Sequence, residues 1–236
     1  MIAYLTSFFT KGGIFMWPIL MFGILTIAFS IERFYALYLK HKVAPADFRK
    51  NILGFISKGD FKSAIAYIEM SAKETSIGKI TMVACKLRNA GAGDEAIQAR
   101  MDEQLTKEIG SYDKRTGFLS MFGNVSTLFG LLGTVTGLIS SFAGVASASP
   151  VERANLLSNG IAEALNTTAF GLIVAIPALI VYAVFQSKTD GIVGQLTEDT
   201  SEIYHDFLFY TENHKAEDTT AMMNFAHESI AESKRN

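Results

Sequence analysis

Two threonines, one glutamate and a set of small residues are where this 236-residue chain could do chemistry. Thr134 lies in the stretch "GLLGTVTGLISSFAG", and Thr168 lies in "EALNTTAFGLIVAIPALIVYAVF", Glu163 to Phe185. Gly130, Gly133, Thr134, Gly137, Ser141 and Gly144 are spaced 3, 1, 3, 4 and 3, which sets them on one helical face. Ala164, Thr168, Gly171, Ala175 and Ala178 are spaced 4, 3, 4 and 3 and form another. Small faces allow close packing of membrane helices. A threonine in such a face either bonds back to its own helix or offers its hydroxyl to an interface or a wet lumen. Glu163 adjoins the apolar run at its start. It either complements the positive end of a helix, an effect of about 0.3–1 kcal/mol, or acts as an ionisable group at the membrane. No apolar stretch carries Asp, Glu, Lys, Arg or His near its middle. A proton crossing here therefore needs a central titrating group from a partner. Pro177 frees the carbonyl of Ile173 and permits a kink.

The elements that must hold these groups follow from where charge is missing. Gly12 to Ile31, Phe118 to Val151 and Ala164 to Gln186 are uncharged. Each meets the roughly 20 apolar residues that cross about 30 Å of hydrocarbon. The expected fold is an all-α membrane protein with three transmembrane helices and long cytoplasmic helical extensions. Strand-like alternation is missing, which excludes a membrane β-barrel. The first span is longer than a signal-peptide core and lacks its cleavage pattern, so it is expected to be retained. Fourteen Lys/Arg fall between Lys40 and Arg115, against only Lys11 before the first span and Arg153 between the second and third. That bias places the middle segment in the cytoplasm and the N-terminus outside.

The chain therefore divides into an outer segment (1–11), a first span (12–38) and a cytoplasmic helical region (39–117). A second span (118–146), an outer loop (147–160), a third span (161–187) and a cytoplasmic C-terminal helix and tail (188–236) follow. Within the cytoplasmic region Phe48, Ile52, Phe55 and Ile56 recur at helical spacing. Further helices are expected over "FKSAIAYIEMSAK" and "IGKITMVACKLRNAG", the last stopped by Gly91 and Gly93. From Asp94 to about Gly144 no proline intervenes, which predicts one helix of roughly 75 Å. Gly191 and Gly194 weaken the extension of the third span. The last residues, from Lys215, read as helix or disorder. No phosphate loop, paired-histidine motif or nucleophile elbow occurs, so neither an enzyme nor a metal centre is expected. Cys85, the single cysteine, reads as a small buried apolar residue.

"GLLGTVTGLISSF", followed by an outer loop and "GIAEALNTTAFGLIVAIPALIVYAVF", resembles the MotA/TolQ/ExbB proton-channel family. The three-span arrangement resembles its ExbB/TolQ branch. The resemblance implies a homopentameric ring in a bacterial inner membrane around two copies of a single-span ExbD/TolR-like partner, which supplies a membrane aspartate. It implies that Thr134 and Thr168 face that aspartate in the ion path, and that Glu163 serves the proton route or assembly. Asn166 and Thr167 stand where relatives are often apolar or small, and with Gly137 and Ser141 they are candidate pore-lining positions. Gly130, Gly133, Gly171 and Ala175 are candidate packing positions. The resulting expectation is that five copies line a lumen with the small faces of spans two and three. Proton flow, with sodium as the other candidate ion, would then move the partner, in turn acting on a TonB- or TolA-like protein. Membrane lipids surround such a ring, no cofactor is expected, and nothing points to nucleic acid. The reading set against it is a non-conducting scaffold of an envelope complex.

Overall fold

The structure, a computed structural model, describes residues 12–39, 42–147 and 149–233, with side chains through Tyr210. The expected outer segment, 1–11, lies outside the described residues. Among the described residues seven α-helices follow in order. They are α1 (Met16–Phe34), α2 (Phe48–Ile56), α3 (Phe61–Ser71), α4 (Ser76–Asn89), α5 (Asp94–Asp113), α6 (Thr116–Ser147) and α7 (Pro150–Ser233). A π-helical turn, Tyr35–Leu39, extends α1. Three helical stretches are long and apolar enough to cross a membrane: Met16–Leu39, Asp94–Ala146 and Pro150–Tyr210. Packing divides the chain into two units, 1–40 with 113–190 and 41–112 with 191–236.

The first unit contains α1, α6 and the first part of α7. Phenylalanines knit α1 to α6. Phe22 meets Phe122 and Phe129 at 5.8 and 5.9 Å, and Phe29 meets Phe118 and Phe122 at 5.5 and 5.3 Å. Such tilted and edge-on pairs add to the burial of the rings. The opposite face of α1 presents Ile24, Ile27 and Ile31 outward, as a lipid-facing helix should.

The second unit is a helical core of aliphatic and aromatic side chains. Phe48, Ile52 and Ile56 of α2 are buried, with Phe55 packed at the edge. They meet Ala64 and Ile68 of α3, Ile80 and Ala84 of α4, and Ile203 and Phe207 of α7. Helix α3 begins at Asp60, whose carboxylate accepts from the Ser63 amide at 3.0 Å. Helix α4 ends where Gly91 turns left-handed, φ 81°. The amides of Gly91 and Ala92 then return to the carbonyls of Arg88 and Leu87.

Two features differ from the sequence expectation. The long helix predicted from Asp94 is broken at Lys114-Arg115, between α5 and α6. Arg115 is left-handed, with φ 67°, a conformation that costs an ordinary residue roughly 1–2 kcal/mol. The buried Arg33 guanidinium donates to the Lys114 carbonyl released by the break, and Arg115 reaches Glu32 at 3.3 Å. The second difference is at the start of the third apolar helix. It begins at Pro150 rather than near Glu163, within the stretch expected as outer loop. Ser149 precedes it, Pro150 takes its first position, and the Glu152 carboxylate accepts from the Ser149 amide and hydroxyl at 3.2 and 2.6 Å. This is the glutamate half of a capping box, while the Glu152 amide itself bonds the Ser149 carbonyl at 3.0 Å, and a proline holds the first helical position. Glu163, more than three turns inside the helix, therefore does not complement its end. Downstream, α7 passes Gly191 and Gly194 unbroken and continues to Ser233.

Candidate functional site

The small faces of α6 and α7 meet each other within one chain. A Cβ placed on Gly130 would lie 3.2 Å from the Thr168 Cα, and one on Gly133 would lie 2.3 Å from the Thr167 Cγ2. On Gly137 it would meet the Ala164 Cβ at 3.2 Å, and on Gly171 the Ser126 carbonyl at 2.8 Å. Ala175 and Ala178 continue the buried side of α7. The two backbones thus approach as closely as glycine allows. This overturns the expectation that both small faces line a lumen. Each face is the other's packing surface, and Gly137 and Ser141 are buried in the seam they form.

Hydroxyls punctuate the seam. The Thr168 hydroxyl donates across it to the Gly130 carbonyl at 2.8 Å. Its bond therefore joins two helices, where a threonine in an isolated helix would bond backward. Ser141 donates to Gly137 at 2.8 Å, and Thr134 donates to Leu131 at 2.6 Å. Thr167, 1% exposed, has two acceptors within reach. These are the Glu163 carbonyl at 2.9 Å and the Gly12 carbonyl before α1 at 2.5 Å. Asn166 is half-buried beside it.

Helix α1 divides the surroundings of the seam into two flanks. Gly23 of α1 approaches Val174, Gly12 receives the Thr167 hydroxyl, and a Cβ on Gly13 would lie 2.2 Å from a Glu163 carboxylate oxygen. Those α7 residues mark the α1 flank. Thr168 is five residues beyond Glu163, which turns it about 140° away at roughly 100° per residue. It sits on the flank opposite α1. Thr134 occupies the same flank of α6, since the α1-facing residues of that helix are Phe118, Phe122 and Phe129. The structure thus brings Thr134 and Thr168 to one side of the seam and sets Glu163 with Thr167 on the other. Gly13 is left-handed at φ 74°, a conformation that favours glycine, and it lies beneath the Glu163 carboxylate.

Three groups on the Thr134 flank escaped the sequence reading. Ser120, Asn124 and Thr127 precede Thr134 at spacings of 4, 3 and 7. Asn124 is the one carboxamide between Phe118 and Val151, and that isolation in an apolar window was the available signal. Ser126, fully buried in the seam, has a hydroxyl without a hydrogen-bond partner among the described residues.

In the second unit the ionisable groups are held within a packed helical core. Glu108 is buried and receives bonds from Ser76 at 2.8 Å, Gln104 at 2.9 Å and Lys79 at 3.2 Å. Burial pushes the Cys85 thiol up to about 12, so it stays protonated and unreactive. Desolvation, assisted by Glu202 and Glu198, raises Asp199, which lines a cavity of about 270 Å³. Among the described residues no cluster of His, Cys, Asp or Glu could hold a metal ion.

An all-helical membrane protein emerges, with paired spans that set Thr134 and Thr168 on one flank and carry no charge at their centre. Its fold has a solved counterpart. The structure of C. jejuni MotAB matches with a TM-score of 0.52, covering 79% of this chain and 69% of that one at 16% identity. The MotA/TolQ/ExbB proton channel family matches residues 72–198, more than half of the sequence. The chain belongs to that family.

Proposed function

We propose that this chain is the ring-forming subunit of a proton-driven motor in a bacterial inner membrane. The observation that carries the reading is the shared flank of Thr134 and Thr168. Two hydroxyls sit on the same side of the seam, on a helix pair with no charge at its centre, in a member of a proton-channel family. Three candidate spans among the described residues favour the ExbB/TolQ branch, since four are usual in the MotA branch.

In this reading five copies surround two single-span partners of the ExbD/TolR kind, with the N-terminus outside and the C-terminus in the cytoplasm. The threonine flank, rather than the small faces, borders the lumen. A partner aspartate takes up a proton there, and the neutral acid crosses the apolar wall at lower cost than the carboxylate. One charge moving through 100 mV releases about 2.3 kcal/mol, so a few protons can drive a cyclic displacement of the partner. Thr134 and Thr168 donate to the carboxylate or to its waters. Glu163 serves the outer end, where its contact with Gly13 couples α7 to the entry of α1. The work is delivered to an envelope process, either import through a TonB-like protein or maintenance through a TolA-like one.

Replacement of Thr168 by valine in the source cells tests this. The hydroxyl is lost while the shape is nearly kept. A drop of at least ten-fold in gradient-dependent activity is expected, with the complex and its single-span partner still co-purifying. Unchanged activity would remove the hydroxyl from the mechanism. A complex that works equally well after an uncoupler collapses the gradient would instead be a scaffold.

A further inference from the structure

Below the threonines, the same flank of α6 carries a polar feature that helix packing leaves unexplained. Asn124 is exposed, although it lies in a window without charge from Phe118 to Val151. Its described hydrogen bond is a long one, 3.5 Å from the amide nitrogen to the Ser120 hydroxyl. The carboxamide has two donor hydrogens and an acceptor oxygen, so most of its capacity is unmet. Exposure to hydrocarbon would leave it so, at a high cost. Thr127, one turn nearer Thr134, is half-buried and already donates to Gly123 at 3.2 Å. Along the same line of α6 the next outward residues are apolar: Leu131 is 51% exposed and Val135 54%, and Leu128, one turn beyond Asn124, is 62%. The polar group at Ser120, Asn124 and Thr127 is therefore set apart from Thr134 by apolar surface. A helix bathed in lipid at that level has no reason to carry a carboxamide there.

We propose that Ser120, Asn124 and Thr127 form a second polar tier of the ion pathway, about 15 Å along α6 from Thr134. There the Asn124 carboxamide exchanges hydrogen bonds with the water that delivers or receives the translocated cation. The amide is neutral over the whole physiological range, so it solvates without trapping the ion. The identity of what passes rests on the motor reading above; the wetness of the tier rests on the placement of Asn124 alone.

Cysteine accessibility separates the two. Single Asn124→Cys and Leu128→Cys variants of the full chain are exposed, in native membranes, to a charged water-soluble thiol reagent. The wild type supplies the background, because Cys85 is fully buried. Position 124 is expected to react at least ten-fold faster than position 128, although Leu128 is strongly exposed. Equal rates, or protection of both, would overturn the tier by making this flank a lipid face or a sealed helix contact. Proton flux through the same membranes is then compared for Asn124→Leu and Asn124→Gln. A fall of about ten-fold in the leucine variant, with most of the flux kept by glutamine, is expected. Wild-type flux in the leucine variant would overturn the solvating role. Fast labelling at 124 in a chain that passes no protons would refute the motor reading and leave the wet tier standing.

Discussion

Gly171 tolerates nothing larger than hydrogen, because the atom its Cβ would strike is backbone, the Ser126 carbonyl at 2.8 Å. A flexible side chain could yield there; a helix carbonyl moves only with its helix. Gly171→Ala is therefore expected to cost about 1–3 kcal/mol, the range for overpacking, and to break the Thr168 bond to Gly130 as the seam opens. Gly110→Ala is the control. It lies in α5 with open space around it, so alanine should stabilise by up to about 1 kcal/mol. Melting of the purified full chain in detergent compares the two. At this scale much was legible in advance. Glycine at helical spacing announces close approach, and a threonine inside such a face announces a bond that packing alone does not need. What periodicity could not tell was the direction of each face. The spacing of Gly130, Gly133 and Gly137 is the same whether they border a lumen or a sister helix. Only the contact of Gly133 with Thr167 decides. Likewise Thr168 is near Glu163 in sequence yet turned away from it around the helix.

Helices are where the sequence reading was most uneven. The break between α5 and α6 has no proline, and no glycine occupies the left-handed position; Gly117 comes two residues later. It is sustained from outside the local sequence, by Arg33 of α1, whose side chain is 6% exposed. Its guanidinium satisfies the Lys114 carbonyl and pairs with Glu32. No window around residue 114 could reveal a partner 81 residues away. Arg33→Ala should remove that part-buried, charge-assisted bond, a loss of roughly 1.5–3 kcal/mol. Hydrogen exchange at the first turn of α6 is expected to quicken by about ten-fold or more. Arg33→Lys keeps the charge but lacks the fork that serves both acceptors, so it should recover only part of the protection. Full protection in the alanine variant would show that the break is held by other contacts. By contrast, the Ser-Pro-x-Glu helix start at Ser149 and Glu152 was written in the sequence. It was overlooked because the charge on Glu152 and Arg153 had already assigned that stretch to a loop.

Over the whole molecule, the chain builds two cores of different chemistry on one continuous helix. The membrane unit packs glycine and alanine against backbone, while the second unit packs isoleucine and phenylalanine against each other. Helix α7 contributes Gly171 to the first and Phe207 to the second, 36 residues further on. Phe207 is fully buried and stacked on Phe61 at 6.0 Å, so Phe207→Ala should cost about 3–5 kcal/mol. The two sites share no packing partner, and distant independent substitutions usually add within about 0.5 kcal/mol. Hydrogen exchange can score each unit separately in the full chain. Phe207→Ala is expected to speed exchange in α3 and α4 and spare α6; Gly171→Ala should do the reverse; the double variant should show the sum. Exchange in α6 that quickens when Phe207 alone is truncated would mean that α7 transmits packing changes along its length. A motor needs some element to carry motion from the membrane to the parts beyond it. Additivity would therefore exclude packing within a single resting chain as that element.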